Sequence, residues 1–346
     1  VKPRAIDLFA GCGGLTVGLK QAGFEVVGAI EQNSDAAATY GTNHPEVRIW
    51  QEDIRKVPAT TMMRELDFET GQLDLLSGCP PCQGFSTMRT LNGSIPVEDE
   101  RNDLVNDFLR FAKRFLPKAV MMENVPGLAQ DSRFLAFCKR LEKLGYFVRH
   151  RILDVSDYGV PQRRRRLILL AGYKSEIPFA PTTLSRRTVS DAIGSLPKAG
   201  ESGDELHDLK EQRSPRIREL ISRIPKDGGS RTDLPEDLQL SCHIRCNGFK
   251  DVYGRMAWDK PAPTITSGCF NPSKGRFLHP EEDRAITMRE AALLQSFPAE
   301  YQFPLASKSK SGVALMIGNA LPPEFVRRHA TMVNKALSNS LIVSTD

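Results

Sequence analysis

The sequence predicts an α/β protein built on a doubly wound, mostly parallel sheet, and three observations carry that prediction. Short apolar or β-branched runs alternate with helical patterns over roughly the first 175 residues. A glycine-rich turn, DLFAGCGG at 7–14, follows the first of these runs, and an acid, Glu31, ends the second. At 346 residues, with 40% hydrophobic and 26% charged side chains, the chain can bury one large domain or a large and a small one.

Taken in order, the candidate strands are 5–9, 25–30, 47–50, 73–77, 119–123, 147–153 and 167–171. The candidate helices are 15–21, 34–40, 103–115 and 134–144, the last two apolar at three- and four-residue spacing. After Tyr173 the texture changes to Pro, Ser, Gly and charge, as in SEIPFAPTTLSRR and PKDGGSRTDLPEDL, so a weakly patterned second unit is expected. A helical period returns at 287–294, and GNALPPEF at 318–325 leads into a closing helix through Asn334. Such a helix packs back on the first domain. The expected organisation is therefore 1–173 as the first domain, 174–286 as an insertion, and 287–346 as the returning segment.

The net charge is only +5, but its placement is uneven: residues 149–187 carry nine Arg or Lys against three acids. A nucleic-acid face is plausible there. Seven cysteines, no charged-then-apolar leader and no apolar stretch of membrane-spanning length point to a reducing, intracellular setting.

Gly11 and Gly13 let the backbone turn tightly and meet a ligand with no Cβ in the way. Glu31 stands 20 residues after Gly11, where it can take two ribose hydroxyls, and Asp53-Ile54 after the third strand can add an adenine contact. The third glycine of the dinucleotide fingerprint is absent. That glycine serves helix packing close to a pyrophosphate, so a nucleoside ligand without phosphates is expected. S-adenosylmethionine is such a ligand.

The run GCPPCQGFS at 78–86 puts Cys82 in a proline-stiffened loop after one buried strand, and Glu123-Asn124-Val125 ends the next. Strand ends of this kind gather at the carboxyl edge of a parallel sheet. Cys82 and Glu123 can then meet, which suggests thiol attack on an activated ring. Two other readings use the same cysteines. Cys79 and Cys82 form a C-x-x-C that would be redox-active at a helix start, but here the loop runs on into Gly84. Cys242 and Cys246, with His243 between them, would complete a zinc site only by consuming Cys82 across two units. No metal is expected. Cys12, Cys138 and Cys269 are taken as packing residues.

Together, DLFAGCGG, GCPPCQGFS, ENV at 123–125, VPQRRRR at 160–166, REAALLQSFP at 289–298 and GNALPPEF resemble the DNA cytosine-5 methyltransferase family, in order and over nearly the whole chain. The resemblance is to its bacterial stand-alone, Dcm-like, restriction-modification type. It implies a Rossmann-like S-adenosylmethionine-dependent methyltransferase sheet with a smaller inserted target-recognition domain at 174–286. It implies catalytic roles for Cys82, Glu123, Arg164 and Arg166. Cofactor contacts would be Phe9, Gly11, Gly13, Gly14, Glu31, Asp53, Ile54, Pro81, Leu104 and Asn319. DNA contacts would be Gln83, Ser86, Gln162, Thr264 and Thr266, with Arg164 holding the exocyclic oxygen of the base and Gln162 with Arg166 bracing the loop.

A C5 atom inside a duplex is out of reach of both a thiol and a methyl donor, so the base must leave the stack. The polar segment 84–101 is expected to close over it. Arg245, Asn247, Lys250, Arg255, Lys274 and Arg276 are candidate contacts of the insertion with phosphates and base edges. The alternatives are a tRNA methyltransferase using the same chemistry, a silent DNA-binding homologue and a hydride-transfer enzyme. The tRNA branch carries a CFT segment, whereas this chain has Cys269-Phe270-Asn271. The expected partner is double-stranded DNA, with a functionally linked restriction endonuclease, no membrane and a monomeric state, in the bacterial cytoplasm on the nucleoid.

Overall fold

The computed structural model describes residues 1–81, 104–239, 251–305 and 309–343. These form two compact units, Val1–Tyr158 with Arg165–Thr182 and Leu321–Asp346, and Gly159–Arg164 with Thr183–Ala320.

The first unit holds seven strands, β1 (Arg4–Leu8), β2 (Glu25–Ile30), β3 (Arg48–Trp50), β4 (Leu75–Gly78), β5 (Ala119–Asn124), β6 (Tyr146–Asp154) and β7 (Arg165–Tyr173). They lie in the order β3-β2-β1-β4-β5-β7-β6. From β3 to β5 all neighbours are parallel, and β7 runs antiparallel between β5 and β6. Succession passes from β1 outward through β2 to β3, then resumes with β4 on the other side of β1. The chain ends leaving β1 and β4 therefore flank a topological switch point, where open α/β sheets bind ligands.

Both sheet faces are covered, as parallel strands require. All six residues of β5 are buried. On one face Ile6, Leu8, Leu76, Val120, Met122, Leu167 and Leu169 pack with α4 (Leu104–Phe115) and α5 (Ser132–Lys143), following α1 (Gly14–Gln21), α2 (Ser34–Asn43) and α3 (Ala59–Glu65) in the chain. Helix α4 buries residues 104, 105, 108, 109, 111, 112 and 115, the stripe expected of an amphipathic helix. Helix α1 packs with the last helix. A Cβ on Gly18 of α1 would stand 2.4 Å from the Cβ of Val326, so only glycine lets the two backbones approach so closely.

The second unit contains α6 (Val189–Ile193), α7 (Glu205–Asp208), α8 (Pro215–Arg223), α9 (Met288–Leu294) and α10 (Lys310–Asn319). Its described residues contribute only isolated bridges, Gln162 with Ala262, Arg255 with Leu278 and Leu278 with Ala285. Residues 287–320, expected to return to the first domain, pack instead in this unit. Thr287 and Glu290 close a capping box on α9, and Thr287 also hydrogen-bonds His207 of the α7 segment at 2.9 Å. The return begins at Leu321. Pro322 and Pro323 cannot extend α10 but suit the start of a new helix, α11 (Pro323–Val343); this is the closing helix expected after GNALPPEF, running on past Asn334, whereas α10 before it was not expected.

Candidate active site

The turn after β1 is tight because its backbone is left-handed at three places, Phe9 (φ 61°), Gly11 (55°) and Gly13 (97°). For glycine this costs little, but an aromatic residue at positive φ is strained, and such strain concentrates at ligand sites. Ala10 N donates to Ile30 O at 2.9 Å and Gly11 N donates to the Glu31 carboxylate at 2.8 Å, which stitches the turn to the end of β2. The other carboxylate oxygen accepts from Asn33 N at 2.8 Å. Burial raises the Glu31 pKa, opposed by those amide donors. A Cβ on Gly11 would meet nothing within 4 Å, so the space over that backbone is open. Gly14 begins α1 and is buried. Asp53 caps a short 3-10 turn, Ile54–Lys56, and both its oxygens accept from Arg55, whose hydrogen bonds hold this carboxyl below its usual range. Ile54 and Leu104 are buried in the core, 3% and 6% exposed, so at most their edges face a ligand. An open glycine backbone, a carboxylate at its rim and an acid at the next strand end fit a nucleoside cofactor that lacks phosphates.

Beneath this turn lies Asp7, to which the motifs alone assign no role. It is fully buried; one carboxyl oxygen accepts from Thr16 Oγ1 at 2.8 Å, and Thr16 in turn shares a hydrogen bond with Tyr40 at 2.8 Å. Its other oxygen has no partner among the described residues. Burial pushes the Asp7 pKa up to about 7, the Thr16 hydrogen bond opposing and the Glu31 charge adding to the rise.

Register explains the rest of the edge. Asp7 pairs with Ser77 and Ser77 with Met121, so these share a face, as does Glu123 two residues beyond Met121. Glu123 stands opposite Ile168 of β7, and Arg166, two residues before it, points to the same side. Arg166 Nε accordingly meets Glu123 Oε1 at 2.8 Å. Gly78 pairs with Met122, which brings Cys79 beside Glu123 and within hydrogen-bonding reach of it. Burial, then the Glu123 and Asp7 charges, hold the Cys79 thiol well above its usual pKa. It stays a thiol and is no rival nucleophile. Asn124 donates to Pro80 O at 2.9 Å while its own side-chain oxygen takes Val125 N at 2.8 Å. The loop is thereby held one residue before Pro81 and two before Cys82. Cys82, Gln83, Ser86 and the expected closing segment 84–101 lie outside the described residues.

The second unit holds the remaining expected site residues. Gln162 is fully buried, donating to Gln295 Oε1 at 2.8 Å and accepting from Ile265 N at 2.7 Å. Gln295 itself donates to Ile317 O at 2.6 Å, a partnership no periodicity signalled. Arg164 is 4% exposed and its terminal nitrogens donate to Ile265 O and Gly318 O, both at 2.8 Å. Thr264 Oγ1 donates to Arg163 O at 2.8 Å, Thr266 Oγ1 accepts weakly from Gly268 N at 3.3 Å, and Asn319 is exposed. Along the arginine run Arg163 and Arg165 are exposed while Arg164 is buried and Arg166 half-buried, the expected alternation. Two candidate DNA contacts are corrected. Arg255 is fully buried and donates to Ile221 O, Ile224 O, His279 O and Glu282 O, and Arg276 is tied to Gly228 O, Arg255 O and Asp251. Both hold the unit together. Lys274 is exposed, and Arg245, Asn247 and Lys250 lie outside the described residues. Among the described residues no cluster of three His, Cys, Asp or Glu is arranged to hold a metal, and no helix is long and apolar enough to cross a membrane.

A parallel sheet with an antiparallel seventh strand, and a glycine turn and acid at its switch point, is the Rossmann-like sheet of S-adenosylmethionine-dependent methyltransferases. The solved structure of an E. coli prophage-encoded protein assigned as a DNA modification methyltransferase superposes with a TM-score of 0.71 at 26% identity, over 97% of this chain and 99% of the other. The Type II methylase M.HgiDII of Herpetosiphon aurantiacus is 39% identical over 96% of this chain and 95% of its own length. The Type II methyltransferase M1.HphI of Haemophilus parahaemolyticus is 34% identical over 96% and 87%. The family profile for C-5 cytosine-specific DNA methylase matches residues 4–335, and the chain belongs to that family. It is a DNA cytosine-5 methyltransferase.

Proposed function

We propose that the protein methylates C5 of a cytosine swung out of double-stranded DNA at a short specific sequence, using S-adenosylmethionine and a transient bond between Cys82 and C6 of the base. The observation that carries this reading is the brace at the sheet edge: Asn124 grips the loop two residues before Cys82 and is itself the neighbour of Glu123. When bound, the cofactor would supply an electrophilic methyl on a sulfonium, whose sulfur keeps the S–C bonding pair and leaves as a neutral thioether. Glu31 would take its ribose hydroxyls and Asp53 its adenine, over the open Gly11 backbone. Cys82 as thiolate adds to C6 while Glu123 shares its proton with N3, which draws electrons out of the ring and makes C5 nucleophilic. C5 then takes the methyl. Loss of the C5 proton to water lets the Sγ–C6 bond break, and N3 returns its proton to Glu123. Arg166, fixed on Glu123 Oε1, positions the acid. The likeness to Type II enzymes supports a bacterial modification enzyme paired with a restriction nuclease, with 174–286 carrying sequence choice.

Expression in a host that lacks cytosine methylation, followed by bisulfite sequencing, should show modified cytosines in one short context. Cys82→Ser should abolish the modification and leave cofactor affinity unchanged by calorimetry. Wild-type protein should also form a stable adduct with a duplex carrying 5-fluorocytosine at the modified position. Methylation by the serine variant, or no adduct with bound cofactor, would refute the mechanism.

A further inference from the structure

On the sheet face built by α4 and α5, a groove of about 400 Å³ is lined by Asn106, Leu109, Arg110, Lys113, Arg114 and Arg140. Four of the six are cations and none is an acid. Arg110 forms the fixed floor, donating to Val57 O at 2.9 Å and Ile54 O at 2.6 Å, with Asp107 as its partly neutralising neighbour. Lys113, Arg114 and Arg140 are exposed, and among the described residues none of them forms an ion pair. Three cations without an ion pair thus surround one concave surface. They raise the local positive potential where a low-dielectric wall focuses it.

We infer that this groove binds the phosphodiester backbone of duplex DNA away from the methylated base. The inference rests on the reading of the protein as an enzyme acting on duplex DNA. Helical rise places Arg110 and Arg114 about 6 Å apart along the axis of α4. Each DNA strand carries one phosphate per about 3.4 Å of duplex axis. The row thus spans about two phosphate steps of one strand, with Arg140 of α5 lining the same groove. The contact reads no bases; it adds affinity for long DNA that depends on salt. The flank of the methylated duplex and a second duplex present the same phosphate chemistry, and the two sources are separated by experiment.

The test is the salt dependence of binding for Lys113→Ala/Arg114→Ala against wild type, on a long duplex and on a short one that only covers the methylated site. Both positions are exposed, and an unchanged melting temperature checks the fold. The double variant should lose about two from the log–log salt slope on long DNA, at about 0.9 per phosphate, and bind it at least about tenfold more weakly in low salt. On the short duplex its kcat and affinity should equal wild type. An unchanged slope on long DNA would overturn the inference, as would an equal loss on the short duplex. Labelling the long duplex and an added short one separately then identifies the source: co-retention assigns a second duplex, its absence the flank. Failure of wild type to methylate would sink the enzymatic reading while leaving the slope measurement intact.

Discussion

Asp7 couples folding to pH. A carboxyl group sealed in the sheet, with no cation paired to it among the described residues, binds its proton more tightly folded than unfolded, its pKa moving from 3.8 to about 7. Between those values the native state holds a proton that the unfolded chain has released, so stability falls as pH rises. The contribution is complete below pH 3.8 and gone above about 7. Asp7→Asn removes the titration. Across that interval wild type should lose up to about 4 kcal/mol relative to the variant, at 1.36 kcal/mol per unit. Urea denaturation of both proteins at several pH values measures the gap, and parallel curves would refute the assignment. An acid within the apolar run AIDLF is visible in the sequence, but its partners are not, because Thr16 and Tyr40 arrive from two different helices. Glu31 was legible for the opposite reason: its spacing from Gly11 reflects a fixed strand–turn–helix–strand geometry.

The elements of the sheet were legible to within a residue or two, since the inner strands are short buried runs closed by a turn, while β3 and β6 lie at the edges and are largely exposed or half-buried. The cross-connections were not. Asn124 is the sharpest case: ENV identifies the strand end, yet only the β4–β5 register shows that its amide holds Pro80 O. Asn124→Ala leaves that carbonyl and the Val125 amide without their partner, a cost of about 1–3 kcal/mol where such groups are buried. The loop carrying Cys82 would lose its anchor while the Gly11–Glu31 turn keeps its own. The variant should therefore bind the cofactor as wild type does and show a lower single-turnover methylation rate. A weakened cofactor with an unchanged rate would place Asn124 elsewhere in the mechanism. In the second unit the binding elements are Gln162 with Gln295, and Arg255 with its four carbonyls. Buried polar networks of this kind leave no hydrophobic period, which is why that region read as weakly patterned.

At the scale of the molecule, the first unit is assembled from segments far apart in the chain, and its last helix completes it. The sequence indicated that a closing helix returns, but it did not place the crossing at Leu321, because the segments before it in the second unit, α9 and α10, are helices as well. Only the paired prolines mark the change of unit. In α11 and its lead-in, Leu321, Phe325, Val326 and Val333 are all at most 4% exposed, and Phe325 meets Tyr158 edge-on while His329 lies tilted against it. At about 1.5–3 kcal/mol for each large apolar side chain, their burial contributes about 6–12 kcal/mol, an upper figure because unfolded chains already bury some surface. That is comparable with the whole stability of a typical domain, about 5–15 kcal/mol. Deleting residues 321–346 should consequently abolish the cooperative melting transition of the first unit rather than lower it by a few degrees. Gly18 supplies the matching point change: Gly18→Val forces a side chain into the space of Val326 and should reproduce the loss in milder form. Calorimetric scans of both proteins decide the matter. A truncated chain that still melts cooperatively near the wild-type temperature would show that the sheet and α4–α5 core stand without α11.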